Sequence, residues 1–147
     1  MKKIIYIALA LVGMMAVSCQ KEKKVTVDPT LLIGRWTAPS QLGAGKIGFV
    51  FQNGVCDLKG IPAGTRWGYQ WDEGNDVMEA DVLAEAHYGP DWFGWALSAD
   101  STTILLYSSS ATGQWEGYTT SNTVTAFSAS QMTMMDAGNT YVLTKQN

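Results

Sequence analysis

Histidine and cysteine are nearly missing from this sequence. Its 147 residues include one histidine, His87, and two cysteines, Cys19 and Cys56. A single histidine excludes a zinc motif built on paired histidines, and no Gly-x-Ser-x-Gly nucleophile elbow is present. His87 is the one obvious general base, so the sequence argues against an enzyme. A pair of carboxylates of the glycosidase kind stays open, because distances between side chains are invisible in a sequence.

Basic residues are also scarce in the body of the chain. From Thr30 onward there are 5 Lys and Arg against 11 Asp and Glu, a net charge of −6. A surface of this sign repels phosphate backbones, so the composition excludes nucleic-acid binding. Seven of the acids lie within twenty residues and could supply oxygen ligands for calcium. The alternating spacing of an EF-hand is absent, so we interpret this acidic segment as a solvated face and predict no metal and no cofactor.

Only one long hydrophobic run occurs, and it lies at the N-terminus. Lys2 and Lys3 precede fourteen uncharged residues, 4–17. As a helix this run reaches about 21 Å, short of a ~30 Å hydrocarbon core, which is typical of a signal peptide rather than a membrane span. The order Ala16-Val17-Ser18-Cys19 resembles the lipobox of bacterial lipoproteins.

The lipobox resemblance implies removal of residues 1–18 and acylation of Cys19. Residues 19–30 are then a lipidated cysteine and a polar tether, and residues 31–147 are one domain. Gln20 is compatible with delivery to the outer membrane, and the periplasmic and surface faces both stay open. With Cys19 lipidated, Cys56 cannot form an internal disulfide, so the fold must depend on its core.

The domain has little that predicts helix and much that predicts strand. Turn residues recur about every 8–12 positions, which indicates a sandwich or a barrel. Strands are predicted over 31–39 around Trp36, over 46–52, 65–71 and 77–83, and around Trp95. A last strand is predicted at the C-terminus, where Tyr141 and Leu143 alternate with Val142. Asn53-Gly54 predicts a hairpin turn with a return strand over 55–59, and residues 84–87 a short helical turn.

The second half of the domain predicts two similar hairpins. Each enters a turn that contains Ser and Ala, at 98–100 and 128–130, and leaves as an apolar strand. A Ser/Thr/Gly-rich stretch, 108–123, is interpreted as a loop that carries Trp115 and Tyr118. Consecutive hairpins favour an antiparallel up-and-down β-barrel, because closure removes the exposed sheet edges. A Greek-key β-sandwich is the alternative.

This order of motifs resembles the lipocalin-like domains of bacterial lipoproteins. The domain opens with Gly34-Arg35-Trp36, a Phe-x-Phe strand and an aromatic strand follow, and residues 141–145 close the chain. The resemblance implies a barrel of eight or more strands with Trp36 at its closed end. It also implies a basic residue packed over Trp36; Lys145 is the nearest candidate and Arg66 the other.

The leading functional interpretation is a barrel that binds a small hydrophobic or aromatic ligand. Seven aromatic residues are its candidate interior wall: Phe49, Phe51, Trp67, Tyr69, Trp71, Phe93 and Trp95. The strand 65–71 places its three rings on one face opposite Arg66, Gln70 and Asp72, which predicts that the rings point inward. Whether they fill the barrel or line a cavity stays open.

Two further interpretations remain. A surface module would contact a glycan or a protein through three aromatics near loops: Trp92, Trp115 and Tyr118. A structural envelope lipoprotein would have no small ligand. In each case the expected partner is the membrane, through the acylated N-terminus, and the oligomeric state is not encoded in any pattern.

Overall fold

Eight antiparallel strands form a closed barrel in the computed structural model, which describes residues 23–39, 45–72 and 91–147. The strands are β1 (Gly34–Pro39), β2 (Lys46–Val55), β3 (Arg66–Asp72), β4 (Trp92–Leu97), β5 (Thr103–Ser109), β6 (Trp115–Phe127), β7 (Gln131–Met135) and β8 (Thr140–Gln146). Each pairs with the next, and β1 pairs with β8. The up-and-down barrel is therefore confirmed, and the sandwich is excluded.

Alternating side chains build the core inside the barrel. Successive residues of a strand point to opposite faces, so every second one faces inward. On β8, Leu143 is fully buried whereas its neighbour Val142 is 57% exposed. The main core gathers residues from most strands and from the chain before β1: Val27, Leu32, Trp36, Ala38, Phe49, Phe51, Phe93, Trp95, Ile104, Val124, Met132, Met134 and Leu143.

A segment that precedes β1 closes one end of the barrel. This end, at which β1 begins and β2 finishes, is called the strap end, and the opposite one is called the far end. We call residues 25–33 the strap, because this segment crosses the strap end and inserts Val27 and Leu32 into the core. It contains one helical turn, α1 (Pro29–Leu32), where a first strand from residue 31 was predicted. Asp28 caps this turn and Pro29 opens it, since proline lacks the N–H that a first helical residue leaves unused.

The predicted hairpin at Asn53-Gly54 is wrong. β2 continues through both residues to Val55, and residues 56–65 then form a loop rather than a return strand. The loop folds back over the outer surface of the barrel, where Leu58 is buried and the Cys56 amide donates to the Thr65 carbonyl at 2.9 Å. Burial of apolar loop residues on that surface outweighs the local turn preference.

The predicted loop over residues 108–123 is mostly strand. β5 ends at Ser109 and β6 begins at Trp115, and threonines from β6 pair with β5. Thr is β-branched and favours strands, which the composition of this stretch concealed. The two hairpins with Ser-Ala turns are confirmed as β4–β5 and β6–β7. The predicted strand 77–83 and helical turn 84–87 lie outside the described residues.

Across the three described ranges, no helix is long and apolar enough to cross a bilayer.

Candidate functional site

Four of the predicted wall residues lie inside the barrel. Phe49, Phe51, Phe93 and Trp95 belong to the main core, and none is more than 6% exposed. The Phe51 ring meets Trp95 edge-on at 5.6 Å and Phe93 edge-on at 6.0 Å between ring centroids. Edge-to-face contacts at this spacing stabilise aromatic clusters beyond simple burial.

The aromatic strand β3 faces the other way, and the prediction that Trp67 and Tyr69 line the interior is wrong. The residue between them, Gly68, pairs with Phe51 and Phe93, which both point inward. A side chain at Gly68 would overlap the Phe93 ring. Because Gly68 has no side chain, the Phe93 ring occupies the inward position there. The alternation of the strand then places Trp67 and Tyr69 on the outward face. The backbone of Trp71 pairs with Gly48, and its side chain lies outside the described part.

The outward rings form a second core between the barrel wall and the 56–65 loop. It contains Cys56, Leu58, Trp67, Tyr69 and Trp92, with Val50 and Ile61 packed against it. The Trp92 ring lies edge-on to Tyr69 at 5.0 Å and to Trp67 at 6.0 Å. Trp92 is only 6% exposed, so the prediction that it is a surface contact is wrong. The length of the 56–65 loop, which is enough to fold back over the barrel wall, is the sequence signal that could have indicated the burial of Trp92.

Trp115 and Tyr118 begin β6 rather than a loop. The Trp115 indole N–H donates to the Tyr118 carbonyl at 2.9 Å, and its ring lies edge-on to Tyr107 at 6.1 Å. Trp115 is therefore half-buried against the wall. Tyr118 is 73% exposed and points to solvent, beside Gly117 with its positive φ. Of the three predicted contact aromatics, Tyr118 is the one whose ring is available.

The strap end is sealed by Trp36 and its neighbours. The fully buried Trp36 donates its indole N–H to the Leu32 carbonyl at 2.7 Å. The Lys145 ammonium lies 5.4 Å from the Trp36 ring centroid and donates to the Leu31 carbonyl at 2.6 Å. A Cβ at Gly34 would lie 2.8 Å from Lys145 Cε, and Gly34 has a φ of +132°. Only glycine fits there, so strap, Trp36 and Lys145 form one interlocked closure.

A second cation covers a second tryptophan. The Arg66 guanidinium lies 5.4 Å from the Trp95 ring centroid. The Trp95 indole N–H donates to the carbonyls of Trp67 and Gln52 at 2.9 Å and 3.1 Å. Both inward tryptophans thus have their N–H groups satisfied by the protein itself. They fill the barrel near the strap end, where they have no polar group left to offer a ligand.

Some inward apolar side chains near the far end keep partial exposure. Ile47 and Tyr141 are half-buried and pack against the main core. The Tyr141 ring meets Phe49 edge-on at 5.8 Å. Burial, followed by the nearby Asp136 carboxylate, raises the pKa of the Tyr141 hydroxyl. Backbone N–H groups of Gly138 and Asn139 hold the pKa of Asp136 below its usual value. The sequence placed Tyr141 in a strand but did not mark it as a site residue.

Cys56 is a free thiol buried in the second core. Burial raises the pKa of the Cys56 thiol to about 11, which makes it a neutral packing group.

Within the described ranges no group of three or more His, Cys, Asp or Glu could hold a metal ion. His87, Cys19 and most of the acidic segment lie outside the described residues. No buried side-chain nitrogen or oxygen in the described part lacks a hydrogen-bond partner.

Two grooves lie on the outside of the described structure. One, of about 630 Å³, is lined by Lys23, Lys24 and Val25 on one side and by Thr102 and residues 123–125 on the other. The second, of about 360 Å³, runs along the short β1–β8 seam between Pro39 and Val142. Among the described residues that line the two grooves, none is a predicted wall residue.

No protein-family model, curated protein or solved structure matches this chain.

Proposed function

We propose that this protein is a lipid-anchored envelope protein whose barrel binds a small hydrophobic or aromatic molecule at its far end. One observation carries the ligand part of the proposal. At the far end, which the strap does not cross, the apolar side chains of Ile47 and Tyr141 keep partial exposure beside the core. Half-exposed apolar groups next to a buried aromatic cluster are what an apolar ligand covers when it binds.

The chemistry of the far end favours an apolar molecule with at most one polar group. The ring edges of Phe49 and Tyr141 offer aromatic contact. The Tyr141 hydroxyl, next to the Asp136 carboxylate, is the nearest polar group. A strongly charged ligand would be poorly matched, since the described side chains of the core beside Ile47 and Tyr141 are apolar.

The ligand site is tested with two tryptophan substitutions on the same strand. Ile47→Trp adds bulk at the far end, and Val55→Trp adds the same bulk at the strap end, where Val55 is 73% exposed. Fluorescence titrations of the chain from residue 20 onward with lipids and aromatic compounds should show saturable binding in the parent and in Val55→Trp, and weakened binding in Ile47→Trp. Equal binding by both variants, or no saturable compound, would overturn the far-end site.

The anchor proposal rests on the lysines, the apolar run and the lipobox order that ends at Cys19. Cys19→Ala should leave the chain unprocessed and without acyl groups when it is expressed in a bacterium. Cys56→Ala is the matched control and should be processed normally. Mass spectrometry of both N-termini reads the result, and an acylated Cys19→Ala chain would contradict the proposal.

A second candidate function keeps one supporting observation. The Tyr118 ring is 73% exposed at the start of β6, and exposed aromatic rings are common contacts for glycans and proteins. A glycan array probed with the parent and with Tyr118→Ala tests this candidate. A signal that is equal in both would reject a role for Tyr118.

A further inference from the structure

The chain that leads to Cys19 leaves the barrel beside β6. Lys24 pairs with Asp100 at 3.3 Å, and the Val27 amide donates to the Ser101 carbonyl at 2.8 Å. Lys23, Lys24 and Val25 share a groove with Thr123 and Thr125 of β6. Lys24 is five positions after Cys19, and an extended segment of that length spans at most about 18 Å. An acyl group on Cys19 therefore stays close to this side of the barrel.

This side of the barrel presents an uncharged surface, which we call the neutral face. It consists of outward residues from the last part of β6 and from β7 and β8: Thr123, Thr125, Ala126, Gln131, Thr133, Met135, Thr140, Val142 and Thr144. Lys24 borders it beside Thr123, and Lys46 borders it beside Val142. They are adjacent across the strands, as in the rows Thr123–Met135–Thr140 and Ala126–Thr133–Val142. Two of the exposed large hydrophobic residues, Met135 at 43% and Val142 at 57%, lie on it.

The absence of charge on the neutral face is unusual for this chain. After removal of residues 1–18 the protein has 8 basic and 13 acidic residues, a net charge of −5. The strap end, the other surface within reach of the tether, exposes the carboxylates of Asp28 and Asp100. An anionic lipid surface repels carboxylates, whereas hydroxyl groups and methyl groups suit its interfacial layer.

We infer that the neutral face lies against the bilayer into which the acyl chains of Cys19 insert. This inference rests on the proposed lipid anchor. It means that the barrel lies on its side, with the 56–65 loop pointing away from the membrane. The far end is then at the rim of the contact and accessible from the aqueous phase. The anchor supplies the affinity, and the neutral face sets the orientation.

The orientation can be read with a probe at matched alanines in the acylated full chain. In a Cys56→Ala background, Ala126→Cys places a fluorophore on the neutral face, and Ala63→Cys places it on the opposite loop. Both positions are exposed. The proteins are reconstituted in phosphatidylethanolamine–phosphatidylglycerol vesicles with brominated acyl chains. We expect quenching of the Ala126 probe and an unchanged Ala63 probe.

Equal quenching of the two probes, or stronger quenching at Ala63, would overturn the orientation. A second variant tests the cause. Thr133→Glu with Val142→Glu should abolish the difference between the probes, because two carboxylates then face the lipid surface. The intact mass of each protein shows whether Cys19 is acylated. An unacylated chain refutes the anchor itself, and an acylated chain without the quenching difference refutes only the orientation.

Discussion

At the scale of single residues, the interior is set by where a side chain is missing. Gly68 has no side chain, and the Phe93 ring occupies that space. Because the Phe93 ring occupies the inward position at Gly68, the neighbouring rings of Trp67 and Tyr69 lie on the outward face. The alternation of β3 separates its rings from its polar groups but does not show which face is inward. The Phe93 side chain of the neighbouring strand β4 decides that.

Gly68→Ala is expected to destabilise the fold by about 1–3 kcal/mol, because the new methyl group overlaps the Phe93 ring. Gly54→Ala is the matched control, since a Cβ there meets nothing within 4 Å. The control should change the free energy of unfolding by less than about 0.5 kcal/mol. Urea unfolding of both variants measures the difference, and equal midpoints would contradict this account of β3.

Cys56 provides a pH test at the same scale. Burial raises the pKa of its thiol from 9.0 to about 11 in the folded state. The folded state thus favours the neutral thiol. The stability that this contributes is complete below pH 9 and is lost as the pH rises through 11. In the chain from residue 20 onward, Cys56 is the only thiol. At pH 8 a thiol reagent should react slowly with this chain when it is folded and rapidly when it is unfolded in urea, and rapid reaction of the folded chain would refute the buried neutral thiol.

At the scale of elements, the strap behaves as part of the barrel rather than as a tether. Its residues Val27 and Leu32 enter the main core, and its carbonyls accept from Trp36 and Lys145. The sequence assigned residues up to 30 to a tether, but from Val25 onward this segment packs against the main core. Truncations that begin inside the strap would remove core residues.

Two neighbouring leucines of the strap give a matched comparison. Leu32→Ala should cost about 2–5 kcal/mol, since its side chain is fully buried in the core. Leu31 is 40% exposed, and Leu31→Ala should cost less than about 0.5 kcal/mol. Thermal unfolding of the two variants checks the prediction. Similar losses would mean that the strap does not seal the barrel.

The β4–β5 turn depends on an ionised aspartate. Hydrogen bonds from the Thr102 and Ser98 side chains hold the pKa of Asp100 well below its usual value of 3.8. A lowered folded-state pKa contributes stability above pH 3.8 that is lost as the pH falls further. Asp100→Asn should therefore flatten the acid limb of stability between pH 4 and 2 in urea titrations. An unchanged slope would show that other carboxylates cause it.

At the scale of the whole molecule, the described residues form two cores and an uncharged face. The main core lies inside, and the second core lies between the wall and the 56–65 loop. Net charge was predictable by counting, but its distribution was not. The residues of the neutral face lie on three strands that two turns separate in the sequence. The pairing of β6, β7 and β8 brings them together on one surface.

Local order in the sequence determined the strand-rich composition, the alternation of β8 and the two Ser-Ala turns. These follow from backbone preferences and from side-chain period, which act over a few residues. Tertiary structure decided the path of β2 through Asn53-Gly54, the outward aromatic face of β3 and the burial of Trp92. Each of these depends on contacts between segments far apart in the chain, where the burial of apolar area outweighs local turn and face preferences.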